Sequence, residues 1–168
     1  MSDLRTPLTA WHEAHGAKMA PFAGWLMPIQ YEGIIVEHQH TRQHAGLFDI
    51  CHMGEFLISG PGADEALSKA VSHNLQTLAP GKCRYGFLLN DKGGVLDDGI
   101  IYRFGPDSFM AVVNAACAAN DFAVLRARLP ESVKMVDISA DTGKIDLQGP
   151  ESLDVLEKLM GQNFHDLG

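Results

Sequence analysis

Residues 83–114 constrain the fold more than any other stretch of this chain. "CRYGFLLN" (83–90), "GVLDDGIIYRF" (94–104) and "SFMAVVN" (108–114) are β-prone runs punctuated by "DKGG" and by Gly105-Pro106-Asp107. Gly, Pro and Asp clusters between such runs mark tight turns. Connections this short join antiparallel neighbours, because a parallel pair needs a crossover of about a dozen residues or more. Three antiparallel strands in a row follow.

Helical patterns surround them. Thr6-Pro7 predicts a helix start with a Thr cap and Pro in the first turn, and Gly16 a stop. Further helices are predicted over 33–45, ended by Gly46, over 62–72, over 117–129 and over 151–160. Phe122, Leu125 and Leu129 form one apolar stripe. "FAGWLMP" (22–28) reads as a loop or short strand, and "LFDICHMGEFLIS" (47–59), "VKMVDI" and "KIDLQ" as strands. The fold class is α+β: antiparallel sheets with flanking helices. "ISGPGADEALSK" (58–69) and "LQGPESLDVLEK" (147–158) share a strand-Gly-Pro-helix pattern at an offset of 89 residues, which hints at two similar units.

A chain of 168 residues is long enough for one domain with a core of its own. The excess of 21 Asp+Glu over 13 Lys+Arg excludes a binder of phosphate backbones, so no nucleic-acid partner is expected. No apolar run reaches membrane-spanning length, and "MSDLRTPL" lacks the apolar core of a signal peptide, so a cytoplasmic location is expected. Cys51, Cys83 and Cys117 are dispersed and fit reduced thiols.

Asp97 and Asp98 stand side by side in a predicted strand, where Asp is depleted. Strict alternation puts Leu96, Asp98, Ile100, Tyr102 and Phe104 on one face. Val95, Asp97, Gly99, Ile101 and Arg103 fall on the other, a roomier and more polar setting. A carboxylate among large apolar neighbours must be paired, protonated or functional. Tyr85 from the strand before and Asn114 from the strand after could join Asp98 and Tyr102 around one cavity, with flat walls and a polar pair suited to the edge of a heterocycle. On spacing alone, a carboxylate bound to local backbone beside the turn is the better reading of Asp98.

His40 and His44, with Glu37, have a spacing compatible with metal ligation, but no further acid or Cys completes a shell. They read as a solvated helix face, and no metal is assigned. His52 reads as a structural histidine within a strand. The glycine-rich "KGG" and "SGPG" match no phosphate-binding pattern and read as turns.

In order along the chain, "TPLTAWHEAHGAKMAPFAGWLMPIQY", "HTRQHAGLFDICHMGEFLISGP", "GGVLDDGIIY", "VVNAA" and "LQGP" resemble the T-protein of the glycine cleavage system, the aminomethyltransferase family. Single blocks also occur in related folate enzymes. The resemblance implies transfer of a one-carbon unit from an aminomethyl group on the dihydrolipoyl arm of H-protein to tetrahydrofolate, with release of ammonia. It makes the second acid of the pair, Asp98, the catalytic residue. It places the pterin near Met53, Tyr85, Asp98, Tyr102 and Asn114, with Ile100 as a further contact on the same face. The implied partners are lipoylated H-protein and folate. The alternative is a folate-binding module without transferase activity, or an inactive fragment.

Three departures accompany the resemblance. Cys51 stands where the family usually has Ser, and Gly99 where it has a larger aliphatic residue, which should loosen the strand. Family members are also much longer, so residues 1–168 correspond to the N-terminal portion of the folate-binding region, without the C-terminal part.

Overall fold

The computed structural model describes residues 3–164. It divides into two compact units, Met1–His52 with Gly143–Gly168, and Met53–Thr142.

In the first unit, β1 (Leu4–Arg5) runs parallel to β3 (Trp25–Gln30), which pairs antiparallel with β2 (Lys18–Phe22). The β2–β3 hairpin turns on Ala23 and Gly24, both at positive φ (51° and 84°). Two positive-φ residues match the right-handed twist of the strands they join. Ala-Gly is a weak signal for such a turn, and Pro21 and Pro28 demote both flanking runs, which is why this stretch reads as loop in the sequence. The unit also holds α1 (Thr9–Ala14), α2 (Ile34–Gln43) and α5 (Ser152–Met160). Its second sheet pairs β4 (Gly46–Asp49) with β10 (Ile145–Gln148).

Asp49 ties this unit together. Its Oδ2 accepts hydrogen bonds from Thr6 Oγ1 (2.6 Å) and His12 Nε2 (3.0 Å), and its Oδ1 accepts from Cys51 N (2.9 Å). Burial opposes ionisation, but these donors outweigh it and hold the carboxyl below its usual range. With Nε2–H committed to Asp49, His12 Nδ1 accepts from the Tyr31 hydroxyl at 2.5 Å. Two corrections follow. Thr6 leaves the helix uncapped because its hydroxyl serves Asp49, and α1 starts only after Leu8. The bond from Cys51 N to Asp49 closes a turn, so the predicted strand over 47–59 is broken and His52 lies in that turn rather than in a strand.

The second unit is a five-stranded antiparallel sheet in the order β6-β7-β8-β5-β9. The strands are β5 (Gly54–Ser59), β6 (Cys83–Leu89), β7 (Val95–Gly105), β8 (Ser108–Val113) and β9 (Lys134–Asp137). The three predicted consecutive strands are therefore neighbours. The helices α3 (Ala63–Ala70) and α4 (Ala118–Arg128) cover one face of the sheet. Phe56, Ile58, Ile101, Phe109, Ala111 and Val113 meet Leu67, Leu125 and Leu129 there, with Phe122 packed at the edge. Full burial of such a side chain contributes about 1.5–3 kcal/mol.

Each unit contains one strand-Gly-Pro-helix corner, and the two corner glycines have similar φ, 123° at Gly60 and 115° at Gly149. A Cβ on Gly60 would stand 2.7 Å from Ser132 O, and one on Gly149 would collide with His44 O. The conformation and the close approach both require glycine.

Replacing Asp49 with Asn removes the charge that organises three donors. Asp49→Asn should lower stability by about 1–3 kcal/mol in chemical denaturation, with an unchanged m-value.

Candidate functional site

The site is built on β7 and its neighbours. Along β7 the two sheet faces differ sharply. Asp97 and Ile101 are buried, at 9% and 3% exposure, whereas Phe104 is 55% exposed. On β6, Gly86 and Leu88 turn inward and Tyr85 and Phe87 outward. Tyr85 pairs directly with Ile100, and Phe87 with Asp98. Tyr85, Asp98, Ile100 and Tyr102 thus share the face opposite the helices.

Asn114 directly follows β8, whose Val113 pairs with Gly99 on β7 and with Gly54 on β5. Met53 directly precedes Gly54. Asp98, Asn114 and Met53 therefore sit in one row beside the Gly99–Val113–Gly54 pairings, with Tyr85 and Ile100 paired two residues along β6 and β7 and Tyr102 further on. They line a sheet face rather than an enclosed cavity, and Tyr85 is 57% exposed.

The alternation expected of β7 fails at one point. Pairing with β6 slips by one residue between Leu88 and Leu89, beside Val95–Asp97. Such a bulge re-aims side chains. Leu96, predicted on the face of Asp98, packs against the core instead.

The acid pair is organised by Asn114. Its Nδ2 donates to Asp97 Oδ1 (2.9 Å) and also approaches the Asp98 carbonyl O (3.1 Å) and Oδ1 (3.2 Å). Its backbone N donates to Asp97 Oδ2 (3.3 Å). The Tyr85 hydroxyl donates to Asp98, and its pKa rises through desolvation, that hydrogen bond and the nearby carboxylate charges. Asp98 thus stands at the open face between a phenol and an amide.

Asp97 corrects the expectation of a roomier, more polar setting. It is buried, and Arg103 lies about 20 Å along the strand, with its guanidinium bound to Asp64 (2.8 Å) and to the carbonyls of Leu75 and Leu78. Burial disfavours charge on Asp97, but donors from Asn114, Asp121 and the Asp98 backbone hold its pKa below the usual range.

Two residues that sequence reasoning missed stand behind this pair. Asp121, in the first turn of α4, is fully buried against Asp97. Desolvation and the Asp97 carboxylate push its pKa up to about 7, against the pull of the helix dipole. His73 is the second. Its Nε2 donates to Gly99 O (3.1 Å), and burial lowers its pKa, so the ring is neutral. A Cβ on Gly86 would meet that ring at 2.7 Å. Gly86 and Gly99 are direct cross-strand partners; the imidazole fills the space that Gly86 leaves, whereas a Cβ on Gly99 would stand 2.7 Å from Val112 O. The expected loosening at Gly99 is not seen, since pairing is continuous there on both sides. His73 lies 24 residues before Asp97 and Asp121 lies 23 residues after Asp98, in no periodic relation to them, so no local pattern marks them.

Glu37 caps α2, with Oε1 accepting from the backbone N of Tyr31, Glu32 and Gly33, and His44 pairs with Glu151 at 3.1 Å. Among the described residues no group of three or more His, Cys, Asp or Glu side chains could hold a metal ion. A cavity of about 510 Å³ in the first unit is lined by His12, Tyr31, Glu37 and Asp49 among others, none of which the sequence assigns to a site. Among the described residues no helix is long and apolar enough to cross a membrane.

Comparison with known proteins identifies the family to which this α+β fold belongs. The chain belongs to the GCVT N-terminal domain family, whose profile matches residues 8–167. It is 43% identical over 157 residues to the aminomethyltransferase of Prosthecochloris aestuarii, covering 92% of this chain and 43% of that protein. It is 45% identical over 163 residues to the aminomethyltransferase of Saccharopolyspora erythraea, covering 94% and 43%. Its structure matches the crystal structure of glycine cleavage system aminomethyltransferase T from Bartonella henselae with a TM-score of 0.90 and 41% identity, over 96% of this chain and 45% of that one. The chain thus spans less than half the length of these relatives.

Two measurements check this geometry. Gly86→Ala, which in a strand would ordinarily be neutral or favourable, should destabilise by about 1–3 kcal/mol through overpacking against His73, and His73→Ser should restore much of the loss in the double mutant. The second concerns Asp121. Its folded pKa lies above the unfolded value of about 3.9, so the folded state holds an extra proton between the two values. Its contribution to stability is full below about pH 4 and declines by up to about 1.4 kcal/mol per pH unit towards pH 7. The stability difference between the parent and Asp121→Asn, measured by denaturation across this range, should show that decline. Taking the difference cancels the opposite trend from His73.

Proposed function

We propose that the chain binds tetrahydrofolate on the β6–β7–β8 face and takes part in aminomethyl transfer in the glycine cleavage system. The observation that carries this reading is the Asp98 carboxylate, held at an open face by Tyr85 and Asn114. Ile100 and Tyr102 beside it offer apolar surface for a pterin ring, and Met53 closes the row. A carboxylate accepts from ring N–H groups and fixes the heterocycle edge.

In the transfer, a folate nitrogen attacks the methylene carbon of the aminomethyl group on the lipoyl arm of H-protein. The C–N bond to ammonia and the C–S bond to the arm break, and the second folate nitrogen closes the methylene bridge. The products are methylenetetrahydrofolate, ammonia and the reduced arm. Asp98 orients the folate and accepts the proton that the attacking nitrogen loses. Positioning of two bound reactants carries much of the rate effect, and acid–base help adds about 10²–10⁴-fold. No metal takes part in this reading. Lipoylated H-protein is the protein partner, the location is cytoplasmic, and residues 1–168 are the N-terminal portion of the folate-binding region. Because the chain spans 43% of the length of such relatives, folate binding without turnover is the second reading.

Calorimetric titration with tetrahydrofolate tests the first step. Asp98→Asn should leave the denaturation midpoint unchanged, because Asp98 faces away from the core. It should weaken binding by about tenfold or more, as the loss of a charge-assisted hydrogen bond requires. Parent-like affinity in Asp98→Asn would sink the assignment. Adding lipoylated H-protein and following ammonia release then separates a transferase from a binder.

A further inference from the structure

We propose that Asp121 is a positioning residue for the Asp98 face: the proton it shares with Asp97 fixes the Asn114 amide, and that amide in turn orients Asp98. This rests on the reading of the face as a folate site.

The argument starts from what surrounds the pair. The titratable groups around Asp97 and Asp121 are His73 from the segment after α3 and Cys117 at the head of α4, with the Asp98 charge on the far side of β7. The cavity between β7, β8 and α4 is otherwise lined by Val71, Leu88, Ile101, Val113 and Leu125 and similar apolar groups, with no Lys or Arg among them. Its volume of about 20 Å³ has room for about one water and for no larger ligand. Both Asp121 oxygens are buried without a well-formed hydrogen bond from an N–H or O–H, since the Asn120 amide only approaches. Two ionised carboxylates are acceptors only. With no Lys or Arg side chain lining the cavity, one proton between them is what makes their contact attractive.

The consequence reaches the open face through one side chain. Asn114 Nδ2 has two hydrogens. One goes to Asp97 Oδ1 (2.9 Å), and the other is shared between Asp98 O (3.1 Å) and Oδ1 (3.2 Å). Asp97 holds the first hydrogen in place while it is itself held, and on the helix side it is held by the Asp121 carboxyl together with the Cys117 thiol. Loss of the shared proton turns that carboxyl into a repelling charge and frees the amide. A carboxamide does not pass protons on, so Asp121 acts by position and not as a relay. Its proton stays within the pair during turnover.

The test uses the 168-residue chain as parent, with Asp121→Asn, which keeps a neutral donor, and Asp121→Leu, which keeps neutrality and loses the donor. In a pH series, the NMR signals of the Asn114 side-chain amide should titrate near neutral pH in the parent and stay flat in Asp121→Asn. Tetrahydrofolate affinity, read by calorimetry near pH 6, should fall about tenfold in Asp121→Leu and be rescued in Asp121→Asn. Above the transition the parent should weaken while Asp121→Asn does not. An Asn114 signal that does not titrate in the parent overturns the proposal, and so does parent-like affinity in a folded Asp121→Leu. Failure of the parent to bind tetrahydrofolate overturns the folate reading instead, and the Asn114 titration still decides whether Asp121 orders the amide.

Discussion

Everything at the candidate site depends on one amide. Adjacent residues in a strand point to opposite faces, so Asp97 and Asp98 cannot meet a common partner through regular geometry alone. Asn114 reaches both because it sits just past the end of β8, beside the bulge in β7. It binds the buried carboxylate with its backbone N–H and one side-chain hydrogen, and the presented carboxylate with the other. The inner acid is thus an anchor, and the outer one is presented at the open face. An ionised carboxylate in the core is unfavourable unless donors surround it, and Asp97 has donors from Asn114, Asp121 and the Asp98 backbone. An acid on a sheet face with no such anchor would sample several rotamers, and a reacting heterocycle would meet a moving partner.

The framework of this site was legible in the sequence because it is local. Short turns between β-prone runs require antiparallel neighbours, and alternation along 94–104 puts Asp98, Ile100 and Tyr102 on one face with Tyr85 diagonally across. What alternation could not show was which face the helices cover. It placed Asp98 among apolar groups and treated that as burial, whereas the helices cover the opposite face and Asp97 is the buried acid. It also missed the bulge that turns Leu96 to the core, since an extra residue in a ladder leaves no composition signal as plain as Gly-Pro or Asn-Gly. Thr6 was legible as a cap by type, but a hydroxyl has one proton, and Asp49, 43 residues away, takes it. Each error has this form: a local rule was overridden by a partner distant in sequence.

The same reasoning explains Gly99. Beside the resemblance it read as a loose point in the strand that carries Asp98. In the fold it is opposite Gly86, whose missing side chain leaves room for an imidazole, and a Cβ on Gly99 itself would meet the Val112 carbonyl on the neighbouring strand. His73 donates to the Gly99 carbonyl, so the backbone next to Asp98 is gripped from the core side where a larger residue would otherwise fill space. Three unusual residues, each weak alone, make one packed arrangement. A substitution at any one of them is therefore a poor guide to the tolerance of the others.

These two devices converge on the same short piece of β7. Asp97 is fixed from α4 by Asp121, Gly99 is fixed from the α3 side by His73, and Asp98 lies between them with its side chain on the far face. A strand with a single residue between such restraints has little freedom to shift or twist. The orientation of Asp98 is then set from the core, by residues that never touch the open face. That arrangement separates the demand for rigidity, met among buried groups, from the demand for an accessible carboxylate. It also means that the pH at which the Asp97–Asp121 pair loses its proton sets a limit on the conditions under which the outer face keeps its shape.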